Sequence, residues 1–582
     1  MDTFLLMVLC FSAYLIAYHT YGKFLARKIF KLDPDRVVPS KEFSDGIDYI
    51  PSKKMVIFGH HFASIAGTGP IVGPAIGIIW GWLPAVLWVV FGSIFMGAVH
   101  DLGTLVVSLR NEGKSISDIT AKYVNARVRF IFFAIVFFVL LIVLAIFGVT
   151  IAVVFARFPS SVLAVWLQIP IAITTGWAIY KKGANLTLVT VLAIIAMYAT
   201  IWLGSVFKFT MPVIGQMPAT GSWTILLMIY CFFASTLPVN LLLQPRDYIN
   251  AWQLFIMMAL LGTSAVIASL TLNMSLVAPV FNSAPANAPP MMPFLFITIA
   301  CGAISGFHAL VASGTSPKQM EKEPDALFVG YGSMLIEGVL AVLVIVCVGA
   351  GIGLGYTTAD GVKLFGTEAW LKHYSSWSSA EGLGANITAV VIGAANIMSS
   401  LKVPQSLGIA IMGVFIASFA GTTLDTTARL QRYIIGELGV SLKLPKLTNR
   451  YTATFLAVAT AAILAFATGA DGKGAITLWP LFGSVNQLLA ALALLVVTMY
   501  LKKKGGMKLL ITLIPCVAML AITIWALAIK LVDFYQLKNY LLTTIGSMVL
   551  ALSLWMVIET AILLLKREKS FVDNKLEFAE KI

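Results

Sequence analysis

The sequence is poor in charge: 11% of its 582 residues are Asp, Glu, Lys or Arg, against 59% hydrophobic. A soluble chain is typically about a quarter charged. A soluble enzyme, a disordered protein and a nucleic-acid-binding domain are therefore excluded. Cysteine is scarce and unpatterned. Cys10, Cys231, Cys301, Cys347 and Cys516 are scattered through apolar runs with no CxxC, so they read as small core residues rather than a disulfide framework or zinc site. There is no GxxxxGKS/T, so nothing points to ATP-driven transport, and no HExxH or Ser-centred nucleophile elbow. No polar linker divides the chain and no cofactor motif appears. No basic stretch precedes the first apolar run, where Asp2 is the only early charge; Thr3 to Tyr21 reads as a retained span.

What the sequence has instead is long hydrophobic runs. Spanning lengths fall at about 3–22, 55–80, 84–108, 130–156, 161–180, 186–207, 222–243, 249–280, 292–314, 326–355, 404–425, 451–469, 475–500, 507–530 and 541–565, which makes about 15 transmembrane helices. The stretch Asn386 to Leu401 is shorter and ambiguous. The positive-inside rule decides it. With the N-terminus outside and 386–401 kept as an outer-surface or re-entrant helix, 32 Lys and Arg lie inside and 8 outside; letting it span gives 22 and 18. The tail KREKSFVDNKLEFAEKI is then cytoplasmic, and the +14 net charge is first a topology signal and second a contact with anionic lipid.

Polar groups and irregular backbone inside a bilayer are expensive, so they mark sites. In the second span, Ala66, Gly67, Thr68 and Gly69 precede Pro70, with Gly73 and Pro74 following, beside His60 and His61. Proline removes a donor and glycine adds no stiffness, so the helix is expected to unwind mid-membrane. Its freed carbonyls suit a cation and the restarted helix near Pro70 suits a carboxylate. A bent packing helix is the plain alternative. The third span carries His100-Asp101, either a proton-handling pair or a structural one. The seventh carries Ser235, Thr236, Pro238 and Asn240, which reads as a second discontinuous helix. The ninth carries His308, Ser313, Thr315 and Ser316, hydroxyls able to complete a sodium shell or to bond back to their own helix. Asn486 and Gln487 read as helix glue. His60, His61, His100 and His308 fall in the inner half, lining a vestibule or binding a metal; nothing has the spacing of a zinc motif.

Two breaks five spans apart are the arithmetic of an inverted repeat. The expected division is 1–54, a prefix span and loop; 55–215, the first repeat; 216–440, the second repeat with 386–401; and 441–582, a four-helix addition and tail. The fold class is an all-α polytopic membrane protein with a five-plus-five inverted-repeat core.

The segments GHHFASIAGTGPIVGPAIG (59–77), FMGAVHDLGTLVVSLRNEGKSI (95–116), QPRDYIN (244–250), SGFHALVASGTSPKQ (305–319), GTTLDTTARLQRYIIGEL (421–438) and WPLFGSVNQLLAAL (479–492) resemble the carbon starvation protein A family. The resemblance implies a multi-pass transporter of the bacterial inner membrane that takes up peptides under carbon limitation, with pyruvate–proton symport in related members. It also implies a fold similar to the amino acid transporter-like five-plus-five superfamily. There a sodium site lies between the first broken helix and the eighth core helix, which falls here near Ala66 and Gly69 and Ser313, Thr315 and Ser316. The expected substrate shell is His61, Gly67, Thr68, Gly69, Ser235, Thr236, Asn240 and His308. The ion-coupling set is Ala66, Ser313, Thr315, Ser316, His100 and Asp101, for Na+ or H+. The partners are a small-molecule substrate (peptide or carboxylate) and membrane lipids, with no nucleic acid. Two further classes stand beside this one. One is an intramembrane metal-dependent enzyme using the inner-half histidines, which purified-protein metal analysis would reveal. The other is a channel, against which paired broken helices argue.

Overall fold

The computed structural model describes residues 3–566 apart from 359 and 381. The tail 567–582, expected in the cytoplasm, lies outside the described residues. Helix α1 is Thr3–Ile29. The second span is two helices, α2 (Lys54–Ile65) and α3 (Gly69–Trp80), bent by 44° across residues 66–68. Then come α4 (Trp82–Leu109), the short α5 (Ile116–Tyr123), α6 (Ala126–Arg157), α7 (Ser160–Tyr180), α8 (Leu186–Val206), α9 (Ala219–Thr236) and α10 (Leu243–Thr271). A second pair follows, α11 (Met291–Thr298) and α12 (Gly306–Gly314). The chain continues with α13 (Glu323–Leu354), α14 (Leu383–Leu401), α15 (Gln405–Ser441), α16 (Arg450–Ala465), α17 (Gly474–Lys503), α18 (Met507–Gln536) and α19 (Tyr540–Leu565). Among the described residues, thirteen helices are long and apolar enough to cross a membrane, besides the bent pair α2/α3. The protein is a multi-pass, all-α membrane protein.

At the centre α6 packs along α15. Helix α6 is apolar on all sides and mostly buried, as a core helix in a membrane bundle must be. Around this axis the contacts come in matching sets. Helix α2 packs on α10 as α12 packs on α17; α4 on α12 as α13 on α3; α6 on α9 as α15 on α16; and the linking helix α5 lies on α6 as α14 lies on α15. The core is thus an inverted repeat of five and five, α2/α3, α4, α6, α9, α10 against α11/α12, α13, α15, α16, α17.

These pairs divide the chain differently from the expected 55–215 and 216–440. The repeats run 54–271 and 291–503, with α7 and α8 inserted into the first and only α18 and α19 appended. The reason lies in the seventh span. Helix α9 ends at Thr236, whose hydroxyl bonds back to the carbonyls of Phe232 and Phe233 at 3.0 and 3.1 Å. Pro238 and Asn240 therefore sit in a connector between two helices, not in a mid-membrane break. The polar run Gln244–Asn250 is buried helix. The second break is residues 299–305. Helix α14, which packs on α15 as α5 packs on α6, is itself long and apolar enough to cross a membrane, against the outer-surface or re-entrant helix expected of 386–401.

The second break is shaped by close backbone approach. A Cβ on Gly306 would collide with the backbone oxygen of Asn486, and one on Gly73 would lie 2.7 Å from the Thr298 oxygen. Gly306→Ala is expected to destabilise the protein by roughly 1–3 kcal/mol, read as a fall in melting temperature in detergent. Gly436→Ala, where a Cβ meets nothing within 4 Å, is the control and leaves it unchanged or raised.

Candidate functional site

The two breaks face each other at the middle of the bundle. In the first, the carbonyls freed at the end of α2 are taken up by α15: Thr422 Oγ1 donates to Ala63 O at 2.9 Å and Thr423 Oγ1 to Ser64 O at 3.2 Å, while Ser64 Oγ and Thr426 Oγ1 are 3.1 Å apart. Gly67 has no side chain because the Thr423 hydroxyl occupies the place of a Cβ. In the second break, Trp88 Nε1 donates to Ile299 O at 3.0 Å and Gln487 Nε2 to Phe296 O at 3.0 Å. Asn486 Oδ1 accepts from the Phe307 N–H at 3.0 Å. Asn486 and Gln487 do join helices, and they do so through unwound backbone.

A cavity of about 100 Å3 lies between the breaks. Gly69 and Gly73 of α3 form one wall, Thr298, Ala300 and Cys301 the other, with Trp377 and Trp479 nearby. Among the described residues, Lys530 is the one charged residue on its lining, with no Asp or Glu. The start of α12 is capped by Asn486, whereas the start of α3 carries no side-chain cap. The uncapped helix start and its positive end therefore border the cavity. Cys301, expected to be mere core, is a wall residue, and a Cβ on Gly69 would collide with its sulfur. The signal for this break was CGAISG (301–306), two glycines four apart in an apolar run.

Two buried polar clusters lie beyond the cavity. In the first, His308 Nδ1 is 3.1 Å from Asp101 Oδ2 and its Nε2 3.3 Å from Glu337 Oε2, while His100 Nδ1 donates to Asp101 Oδ1 at 2.7 Å. All four side chains are fully buried. His308 is hydrogen-bonded to Asp101, whereas its Nε2 and the Glu337 carboxyl face each other without a hydrogen bond; the cluster sets titratable groups from three helices side by side. In the second, His60 Nδ1 donates to Asp247 Oδ2 at 2.6 Å, and Nε2 is 3.0 Å from Thr315 Oγ1. Thr315 Oγ1 accepts from Gln319 Nε2 at 2.9 Å. His61 Nδ1 lies 2.7 Å from Ser316 Oγ.

Several expected residues sit elsewhere. Ser235 meets Thr454 on α16 at 3.4 Å, Thr236 bonds to its own helix, and Asn240 lies in a crevice with Trp177 and Lys181. None touches the cavity. Ser313 donates to Ala309 O and accepts from the Ile116 N–H, and Thr315 and Ser316 bond to histidines. The hydroxyls opposite Ala66 and the first break are instead Thr422, Thr423 and Thr426, because the eighth core helix is α15. His60, His61, His100 and His308 are fully buried and line no vestibule. Among the described residues no three or more His, Cys, Asp or Glu are grouped to hold a metal. Thr68 is buried at the start of α3, where its carbonyl accepts from Ile71 and Val72. Sequence reasoning missed the α15 threonines and took Cys301 for core. It also missed the buried Arg246–Asp425 ion pair, which Tyr230 completes by donating to Asp425 at 2.6 Å.

The profile described as Carbon starvation protein CstA matches residues 2–526. The chain belongs to that family. A relative named "Peptide transporter CstA" from Campylobacter jejuni is 33% identical, over 91% of this chain and 80% of its own length. One named "Pyruvate/proton symporter BtsT" from Escherichia coli K12 is 32% identical, over 92% and 84%. Among solved structures, an Eremococcus coleocola manganese transporter is similar at TM-score 0.42 and 14% identity, covering 89% of this chain and 99% of that one. This CstA-family chain is a membrane transporter.

A small thiol reagent is expected to modify Cys301 ahead of the four other cysteines, which are buried, and Gly69→Ala to slow that reaction. Mass spectrometry locates the label. Labelling confined to another cysteine would remove Cys301 from the cavity wall.

Proposed function

We propose that the protein is an ion-coupled secondary transporter importing a small carboxylate such as pyruvate, with carbon scavenging as its setting. The observation that carries this is the cavity between the two breaks. It borders an uncapped helix start, which attracts a carboxylate. Among the described residues its lining has one lysine and no acid, which favours a carboxylate over the ammonium of a peptide. Its volume, about 100 Å3, is a few waters' worth of space and suits a molecule of pyruvate's size. A short peptide is the second reading, favoured by the names of most relatives; it requires the cavity to widen. The face carrying Lys54, Lys318 and Arg432 is taken as cytoplasmic, on the asymmetry of Lys and Arg.

The proton is the favoured coupling ion, carried by Asp101, His308 and Glu337 on α4, α12 and α13. These are three helices of both repeats, so the proton's presence is felt across the core. Sodium is the alternative, at Thr422, Thr423 and Thr426 with the carbonyls of Ala63 and Ser64.

In liposomes holding the purified protein, labelled pyruvate is expected to accumulate under an imposed proton gradient and not under a sodium gradient. His308→Ala or Glu337→Gln is expected to cut accumulation by about tenfold or more while substrate exchange without a gradient persists. Accumulation of a dipeptide alone would favour the second reading. Accumulation lost on replacing sodium by choline, together with loss in Thr423→Val, would move coupling to α15.

A further inference from the structure

The mechanism above leaves unused a second polar pocket, on the face that carries Lys318 and Arg432. Its volume is about 520 Å3; Arg129, Lys318 and Arg432 line it together with Gly436 and the carboxylates Asp48, Asp118 and Glu437. Asp48 belongs to the segment between α1 and α2, which forms part of the wall. That segment is tied to the second broken helix's end, with Ile50 N–H donating to Lys318 O at 3.1 Å and Ser52 N–H to Gln319 O at 3.0 Å. It is tied to the α9–α10 connector by Val239 N–H donating to Ile47 O at 2.9 Å. Asp45 Oδ1 accepts three N–H bonds, from Ile47, Asp48 and Tyr49, which fixes the turn that presents Asp48.

Asp48 is the plug. Its Oδ1 accepts from Arg429 Nη1 at 2.7 Å, Arg432 Nη2 at 2.7 Å and Tyr433 O–H at 2.8 Å. Burial raises the Asp48 carboxyl, but Arg429, Arg432, Lys318 and the Tyr433 hydroxyl outweigh it and hold it below the usual carboxylate range. The Arg429 side chain is 0% and that of Arg432 4% exposed. Lys318 is buried too. Its ammonium lies over the Tyr433 ring at 3.6 Å and the Tyr49 ring at 5.3 Å, and among the described residues it makes no ion pair. The Nε atoms of Arg429 and Arg432 are buried without a partner.

Lifting the segment would take the Asp48 carboxylate from both guanidiniums, leaving Arg429 the carbonyls of Ala234 and Leu237 and leaving Lys318 with Glu437 as its nearby carboxylate. Taking a partner from a buried charge is costly. The segment can therefore lift at low cost only if another anion takes the place of Asp48. The helix that carries Arg429 and Arg432 also carries Thr423, at the first break, nine residues and about 14 Å away. Resting on the carboxylate reading above, we propose that Asp48 is a tethered stand-in for the substrate. Opening exchanges it for the substrate's carboxylate, so that Lys318, Arg429 and Arg432 form a second, release-side carboxylate site.

The test needs a reporter inside the pocket. Gly436 lines it, and a Cβ there meets nothing within 4 Å. The full chain with Cys301→Ser and Gly436→Cys, in detergent, is treated with a soluble anionic thiol reagent. Asp48→Asn is expected to speed labelling about tenfold, and pyruvate to slow it again. Lys318→Gln in that background is expected to abolish protection by pyruvate, while Lys318→Arg, which keeps the cation, retains it. Labelling no faster in Asp48→Asn, or protection indifferent to Lys318→Gln, overturns the proposal. The readout needs no transport. Protection without uptake would sink the transport reading and leave this site; uptake without protection would sink this site alone.

Discussion

Backbone unwound in hydrocarbon must find its hydrogen bonds inside the protein, each orphaned group costing several kcal/mol. The two broken helices bring that problem to the centre of the bundle, and the surrounding core is arranged as its solution. The α15 threonines cover the carbonyls of Ala63 and Ser64. Trp88 covers Ile299, Gln487 covers Phe296 and Asn486 covers the start of α12. No side chain caps the start of α3, and that start borders the cavity.

Charge obeys the same accounting. Within the bundle, Asp101, Glu337, Asp247 and Asp425 each face a histidine or an arginine, and none is simply exposed to the cavity. Burying ions is costly and breaking a buried pair costlier, so these residues mark places where a change of partner or proton has leverage. They fall in layers. Moving along α15 from the first break, one meets Asp425 with Arg246, then Arg429 and Arg432 with Asp48. The path from cavity to basic face is closed by polar groups already paired with one another, not by an apolar plug.

Much of this was legible in the sequence. Mean composition gave the membrane class, and the Lys/Arg balance set 386–401 apart from the fifteen longer runs. Gly67, Gly69 and Pro70 marked the first break because glycine and proline act locally. The second break was misplaced because local signals there conflict. Pro238 and the polar run 240–250 read as an interruption, yet Arg246 and Asp247 are neutralised by Asp425 and His60, residues 179 and 187 positions away. Conversely 299–305 contains no proline, and its unwinding is held by Trp88, Asn486 and Gln487 from distant helices. Shifting that one break moved the eighth core helix from the Ser313–Ser316 region to α15, and with it the hydroxyls facing Ala66. Glu337 is legible as an intramembrane carboxylate, but only three-dimensional packing sets it against His308.

The two breaks are held by different chemistry, and this separates their roles. The donors at the second break are amides and an indole with no alternative backbone acceptor among their bonds. At the first break Thr422 also donates to Phe419 O in its own helix, at 2.9 Å. A threonine that loses a neighbouring helix's carbonyl can keep its own, so separating α2 from α15 there leaves fewer groups orphaned than any displacement of α11 or α12 from α17. Compliance is therefore concentrated where α2 meets α15. That contact also lies between the cavity and the Asp48 layer. The threonines at the first break and the arginines that hold Asp48 sit on one helix, α15, which ties the two places together.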